Sequence, residues 1–243
     1  MLSPFTHLEF ERKRATLECV AQQALLASRI PSRRQPRSHE LIAQQQRERI
    51  IFAFAEEASE KGYRGVTVTD VVRRAGVARK TFYDYFPSKE VCFIATSEFG
   101  VKEALRRVVD AAIQAESWTA RIQAGLAAFL DYTASEPALA RTCIVETLAA
   151  GPAAVGRYEH SIQAFVPLFW MGRKVSSREL PRLLEETIVG GIFWIIYQRI
   201  VSDDTQRVEE LLPDLIEFSL TPYLGAEGAK AARPAAAPAL SVS

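Results

Sequence analysis

A short stretch near position 80 concentrates cationic and hydroxyl side chains at helical spacing. It contains Arg79, Lys80, Thr81, Tyr83 and Asp84. Cations of this kind bind phosphate or guanine, and hydroxyls bind phosphate oxygens, so these residue types suit a DNA duplex. We expect Tyr83 to contact a phosphate and the other four side chains to face base edges in a major groove.

The residues on either side predict two short helices joined by a tight turn. Thr67 and Asp70 have the spacing of a capping box, which would begin the first helix. Gly76 favours the end of that helix, because glycine tolerates positive φ angles. In the second helix Phe82 and Phe86 share an apolar face. Together these signals predict a helix-turn-helix, and the alternative is a plain helical hairpin with a solvated charged face.

This region resembles the TetR family of bacterial transcriptional regulators over residues 40–95. The matching residues are Gly62-Tyr63, Thr67-Val68-x-Asp70-Val71, Ala75-Gly76-Val77, Thr81-x-Tyr83-x-Tyr85-Phe86 and Ser88-Lys89-Glu90. We therefore expect DNA contacts from Thr67, Arg79, Lys80, Thr81, Tyr83, Asp84, Tyr85 and Lys89, with Lys89 on a phosphate. The chain departs from the pattern at Ala78, where a capping serine is usual, and at Lys80, where a small residue is usual.

The distribution of charge agrees with a DNA-binding module. The net charge is only +1, but residues 31–90 carry 12 basic and 8 acidic side chains, whereas residues 91–243 carry 14 and 18. The basic surplus therefore lies on the helix-turn-helix and its approach. The preceding linker PSRRQPR, residues 31–37, is either a solvated hinge or a basic arm along the DNA backbone or minor groove.

Helical periodicity after residue 88 and the lack of strand-like alternation predict an all-α, two-domain protein. Pro167 and Pro213 should kink or split two of the later helices. The predicted segments are an extension and basic linker over 1–37, a helix-turn-helix DNA-binding domain over 38–95, a helical effector-binding and dimerisation domain over 96–224, and a disordered Ala/Pro-rich tail over 225–243.

The second domain is rich in aromatic side chains, which suit either an ordinary core or an apolar ligand pocket. The TetR resemblance favours a pocket, because such proteins bind an inducer in this domain. The candidate pocket residues are Phe129, Tyr132, Phe165, Phe169, Trp170 and Trp194, with Glu146 and His160 as polar handles. We expect a small apolar or amphipathic effector that changes the spacing between two recognition helices.

The last two predicted helices suit a dimer interface. An apolar stripe consists of Val208, Leu211, Leu212, Leu215 and Phe218. The preceding helix is apolar nearly all round from Ile188 to Tyr197, so it needs cover on more than one side. Such helices would form a four-helix bundle about a two-fold axis, unless they are buried within one chain. A two-fold dimer would read a palindromic operator.

Other functional classes find little support. Cys19, Cys92 and Cys143 are far apart and odd in number, which argues against a disulfide framework or a metal site. No Gly-rich phosphate loop, HExxH or GxSxG motif occurs, and no apolar stretch is long enough to span a bilayer. We expect a cytoplasmic protein, nucleoid-associated when bound to DNA, without enzymatic activity, cofactor or metal.

We interpret the chain as a homodimeric, ligand-responsive transcriptional regulator, in the repressing mode that is common in the family. Two alternatives remain: a helical ligand-binding or scaffold protein that no longer reads DNA, and an enzyme built on a helical bundle.

Overall fold

The computed structural model describes residues 38–150, 156, 159 and 162–233. Every regular element in these residues is helical, which confirms the all-α prediction. The N-terminal extension, with Cys19 and the basic linker, lies outside the described residues, as do His160 and residues 234–243. In the described part, no helix is long and apolar enough to cross a membrane.

The N-terminal helices surround the predicted turn. They are α1 (Ser38–Gly65), α2 (Val68–Ala75), α3 (Arg79–Tyr85) and the start of α4 (Lys89–Ala112). Inside α1 the backbone leaves helical geometry at Gly62, with φ 70° and ψ 155°. A residue with a side chain rarely adopts that φ, so glycine permits the change of chain direction that leads towards α2.

The second domain is built from α-helices joined by 3-10 turns, which are wound more tightly than an α-helix, and by a π-helical turn, which is wound more widely. Its elements are α5 (Trp118–Ser135), α6 (Pro137–Arg141), a π-helical turn (Thr142–Glu146), α7 (Thr147–Ala149), a 3-10 turn (Val166–Phe169), α8 (Gly172–Val175), α9 (Leu184–Val201), a second 3-10 turn (Thr205–Leu211) and α10 (Leu212–Ala231). As expected, Pro167 falls within a 3-10 turn and Pro213 lies where 3-10 geometry gives way to α10.

The caps of the helix-turn-helix follow the sequence signals. Thr67 Oγ1 accepts the Asp70 N–H, and the Asp70 carboxylate accepts the Thr67 N–H, which completes the capping box. Gly76 ends α2 in the left-handed region, with φ 62°. Ala78 begins α3 without a side-chain cap, and Ser88 caps α4 by accepting the N–H of Val91.

A buried ion pair joins the later helices. Both carboxylate oxygens of Glu185 lie 2.7 Å from nitrogens of Arg173, and the Tyr223 hydroxyl donates to Glu185 at 3.1 Å. Burial and the negative charge of Glu185 raise the pKa of the Tyr223 phenol. Because α8, α9 and α10 each supply one partner and Glu185 binds both of the others, loss of the Glu185 carboxylate would leave the Tyr223 hydroxyl without this acceptor.

The dimer stripe needs a correction. Val208, Leu211 and Leu215 are buried within their own chain, so most of the stripe is core. A helix that is apolar on several faces does not reveal from its sequence which face remains outside. Phe218 is 46% exposed and Trp194 on α9 is 57% exposed, and these residues do lie on the outer surface.

The C-terminal helix is longer than composition predicted. α10 leaves helical geometry at Gly225, with φ 75° and ψ 171°, but helix continues beyond this kink to Ala231. Ala229 is fully buried, and Arg233 pairs with Asp214 and Glu217 at 2.8 Å. The sequence expectation of disorder from residue 225 therefore differs from the structure over 225–231. Alanine-rich sequence favours helix once a tertiary contact anchors it.

The capping box predicts a pH-dependent contribution to stability. Hydrogen bonds from the Thr67 hydroxyl and then from Lys61 hold the pKa of Asp70 below its ordinary value. A carboxylate with a lowered folded-state pKa stabilises the fold above its unfolded pKa, about 4, and loses this effect as the pH falls. We expect Asp70→Asn to lower the urea midpoint at pH 7 and to differ progressively less from the parent below about pH 4. Circular dichroism at several pH values measures this, and a pH-independent difference would contradict it.

Candidate nucleic-acid interface and apolar cavities

Helix α3 presents one buried and one exposed face. Phe82 is fully buried in the core, which fixes the rotation of the short helix. On the opposite face the side chains of Arg79, Lys80, Tyr83 and Asp84 are exposed, and Tyr83 is 45% accessible. The predicted recognition face is therefore presented to solvent, with Thr81 half-buried at its edge.

Arg79 and Tyr83 are arranged as a unit. The guanidinium of Arg79 lies 5.7 Å from the centroid of the Tyr83 ring and donates to its hydroxyl at 3.3 Å. It also donates to Thr69 Oγ1 at 3.3 Å, which joins α2 to α3. Exposed Thr69 was not singled out from the sequence. Its place two residues after the helix cap, on the side facing α3, is the signal that would have identified it.

Neighbouring arginines on α2 are neutralised by carboxylates. Arg74 pairs with the buried Glu57 and with Glu60, each at 2.7 Å. Arg73 pairs with Asp70 at 2.9 Å. No ion pair involves Arg79 or Lys80 among the described residues, so the cations of α3 remain available to an anionic partner.

Besides Arg79, three further residues predicted to contact DNA make internal hydrogen bonds. The Thr67 hydroxyl is used in the capping box. The Tyr85 hydroxyl donates to Gln46 at 3.2 Å. Lys89 was expected on a phosphate, but its ammonium donates to the carbonyls of Tyr63 and Val66, each at 3.0 Å, and lies 4.6 Å from the Tyr63 ring centroid.

The second domain contains an apolar cavity that includes part of the predicted pocket. Its free volume is about 40 Å³. It is lined by Val108, Arg121, Ile122, Gly125, Leu126, Phe129, Phe165, Leu168, Phe169, Val189, Ile192 and Phe193. We call this the Arg121 cavity, because the exposed side chain of Arg121 is the charged group on its wall.

A smaller cavity of about 20 Å³ lies beside the Arg121 cavity and includes Tyr132 and Cys143 in its wall. We call it the Cys143 cavity. The rings of Phe129, Phe165 and Phe193 line both spaces and contact one another, with centroids 5.4–5.6 Å apart. This aromatic triad therefore forms a wall shared by the two cavities.

The remaining predicted pocket residues lie elsewhere. Trp194 is on the outer face of α9, where it stacks on Tyr197 at 5.3 Å. Trp170 is half-buried and is not among the lining residues of either cavity. Glu146 is buried, but its carboxylate accepts the backbone N–H of Tyr63 at 2.7 Å. His160 lies outside the described residues.

The fold and the exposed basic helix define a helix-turn-helix protein, and the sequence matches a known family. Residues 50–96 match the model of bacterial regulatory proteins, tetR family. Over 51 residues the chain is 43% identical to the uncharacterized HTH-type transcriptional regulator YvdT of Bacillus subtilis, a match covering 21% of this chain and 26% of that protein. Over 97 residues it is 34% identical to the HTH-type transcriptional regulator EthR of Mycolicibacterium smegmatis, covering 39% and 45%. Residues 50–96 therefore carry the DNA-binding region typical of the TetR family of bacterial regulatory proteins, and the chain spans less than half the length of these curated relatives.

Solved structures share the fold over most of the chain. The fatty acid degradation regulator FadR from Bacillus halodurans superposes with a TM-score of 0.66 at 19% identity, covering 72% of this chain and 94% of that one. FadR from Bacillus subtilis, solved in complex with stearoyl-CoA, gives 0.62 at 16% identity, covering 73% and 98%. At these identities the similarity shows a shared fold.

The position of Lys89 predicts a structural effect that is separate from DNA binding. In Lys89→Met the aliphatic stem remains, but two carbonyls lose a charged donor. We expect the free energy of unfolding to fall by about 2 kcal/mol, as for hydrogen bonds to charged groups. Urea unfolding measures this, with the exposed Lys102→Met as the matched control. A variant as stable as the parent, with DNA binding alone impaired, would instead support the phosphate role.

Proposed function

We propose that this protein is a ligand-responsive transcriptional regulator that acts in the cytoplasm as a homodimer on a palindromic operator. The observation that carries the proposal is the face of α3, where Arg79, Lys80 and Tyr83 are exposed opposite a buried Phe82. A short helix fixed by its apolar face, with exposed cations on the other that form no ion pair among the described residues, fits a major groove. The tetR family match over residues 50–96 supports the same role.

Binding to DNA is tested by selection of bound fragments from a random pool, followed by titration against the selected sequence. Recovery of a palindromic sequence is the expected result. A protein that enriches no sequence, and that binds DNA equally weakly at every salt concentration, would favour a helical ligand-binding protein that no longer reads DNA.

Lys80 should contribute to recognition of the selected sequence. A lysine that faces a base edge contributes about 1–3 kcal/mol of discrimination, so we expect Lys80→Ala to weaken specific binding about tenfold or more. Lys102→Ala is the control, because Lys102 is an exposed lysine on α4 outside the recognition face. Fluorescence anisotropy at fixed salt measures both. Equal losses in the two variants would mean that Lys80 contributes only general electrostatics.

The proposed effector is an elongated apolar or amphipathic molecule that occupies the two cavities. Their combined space is far below the roughly 300–1,000 Å³ of a typical ligand pocket, so binding requires the aromatic triad to move. The described state is then the closed form, and a ligand that binds only the opened form shifts the equilibrium towards it. The complex of the similarly folded Bacillus subtilis FadR with stearoyl-CoA supports a long apolar ligand. Arg121, on the wall of the larger cavity, suits an anionic head group.

The proposed dimer interface is the outer face of α9 with the neighbouring part of α10. Gly190, Trp194, Tyr197 and Val201 follow helical spacing along α9, and a side chain added at Gly190 would meet no atom within 4 Å. The ring of Phe218 on α10 packs against Gly191 of the same surface. Large exposed aromatic residues beside a glycine allow close approach of a second copy.

A charge at the centre of this face should separate the protomers. We expect Trp194→Glu to convert the protein into a monomer, because dimerisation would bury an unpaired carboxylate. Ile113→Glu is the control, since Ile113 is similarly exposed at the end of α4. Sedimentation velocity measures the change. A dimer that persists in Trp194→Glu would move the interface to another surface.

A further inference from the structure

A buried carboxylate of the second domain binds the backbone at the entrance of the helix-turn-helix. Glu146 is 6% exposed, and its Oε2 accepts the N–H of Tyr63 at 2.7 Å. A hydrogen bond from a backbone N–H to a buried carboxylate is stronger than one between neutral groups. The guanidinium of Arg141 is 3.9 Å away, too far for a hydrogen bond, so the amide of Tyr63 is the close partner of this carboxylate.

The segment held by Glu146 leads directly to the DNA-binding helices. Tyr63 follows Gly62, where the backbone of α1 leaves helical geometry. The carbonyls of Tyr63 and Val66 accept hydrogen bonds from Lys89 at the start of α4. The next residue, Thr67, caps α2. A displacement of the Tyr63 amide is therefore passed to the first helix of the helix-turn-helix.

The other end of this connection is the wall of the Cys143 cavity. Glu146 is the last residue of the π-helical turn Thr142–Glu146, and Cys143 and Ile144 of the same turn line the cavity. Short π-helical turns are rare and occur frequently at functional sites. Because a π-helical turn holds one residue more than an α-helical turn, a change between the two rotates the residues that follow by about 100°.

The cavity is ready to respond to an added group. A Cβ placed on Gly100 would lie 2.5 Å from Cys143 Sγ and 3.3 Å from Tyr132 Oη, so even one methyl group requires Cys143, a residue of the turn, to move. The Tyr132 hydroxyl is buried and has no hydrogen-bond partner among the described residues. It can therefore pair with an oxygen or nitrogen atom of a ligand that enters here.

We propose that a ligand group hydrogen-bonded to Tyr132 displaces the π-helical turn, and that Glu146 transmits this displacement through the Tyr63 amide to the helix-turn-helix. This inference rests on the proposed function, because it assigns the regulation of the same DNA-binding surface. Glu146 is a positioning residue: it contacts neither the ligand nor DNA. Its effect on DNA affinity is exerted through residues 63–67.

Cavity-filling variants test the connection without an identified effector. Gly100→Ala places a methyl group against Cys143 Sγ, and Gly100→Ala/Cys143→Ala provides the space that this methyl group needs. Gly156→Ala is the control: Gly156 is exposed and outside both cavities, and a Cβ placed there meets no atom within 4 Å. Each is compared in the parent and in the Glu146→Ala background, with Glu146→Gln as the variant that keeps an acceptor oxygen.

Two quantities are measured: affinity for the selected DNA fragment and amide hydrogen exchange of residues 62–66. We expect Gly100→Ala to weaken DNA binding about fivefold or more, within the usual range of allosteric coupling, and to speed exchange at Tyr63. The double variant should recover the parent values within about twofold. In the Glu146→Ala background, Gly100→Ala should have no further effect on DNA affinity, whereas Glu146→Gln should retain the response.

Other outcomes would overturn the inference. An equal loss of DNA affinity from Gly100→Ala with and without Glu146 would mean that the change travels by another route. Unchanged exchange at Tyr63 in Gly100→Ala would mean that the turn does not move the amide. If the parent protein binds no selected DNA, the proposed function fails by itself, and the exchange measurement still decides whether the cavity and Tyr63 are mechanically connected.

Discussion

The position of the helix-turn-helix depends on how the backbone at Tyr63 is held. The Glu146 carboxylate binds its N–H, and the Lys89 ammonium binds its carbonyl and that of Val66. Each of these charged groups would be costly to leave unpaired inside the protein. Gly62 makes this arrangement possible. Its positive φ lets the chain turn out of α1, so that the backbone of Tyr63 reaches both Glu146 and Lys89.

The polar residues around the turn divide into two groups that residue type alone does not distinguish. Arg79, Lys80 and Tyr83 are exposed on α3, whereas Tyr85 and Lys89 are bound to groups of the same domain. For Tyr85 the difference arises from the rotation of α3, which the buried Phe82 fixes, whereas Lys89 lies at the start of α4. An apolar side chain thus decides which polar side chains of α3 are exposed, and the proposed recognition face is a consequence of core packing.

Local signals in the sequence predicted local structure well. The predicted helix caps and ends are present at Thr67, Asp70, Gly76 and Ser88. A cap could be predicted because it depends on residues only a few positions away in the sequence. The all-α class was predicted from the helical periodicity of the apolar residues after residue 88. Contacts between distant residues were harder to predict. The bond from Tyr63 to Glu146 spans 83 positions and has no local signature.

Helix α9 shows why the positions of the other candidate site residues could not be predicted from the sequence. Its residues are apolar on several faces, so the hydrophobic periodicity does not show which face is buried. In the structure Phe193 lines both cavities, whereas its neighbour Trp194 is exposed. In the same way, the sequence did not distinguish Phe218, the exposed end of the apolar stripe, from the buried Val208 and Leu215. Tertiary packing determines which of these apolar residues are buried, and the pattern of a single sequence does not reveal it.

The near-closure of the two cavities has a kinetic consequence. Phe129, Phe165 and Phe193 are in mutual contact, and the spaces on either side of them measure only about 40 and 20 Å³. A molecule that enters must wait for these rings to swing apart, so its rate of association is limited by how often they open rather than by diffusion. Its apparent dissociation constant is also increased by the rarity of the open form. Once the rings close over it, the same barrier slows its escape, and the response to a brief pulse of ligand would outlast the pulse.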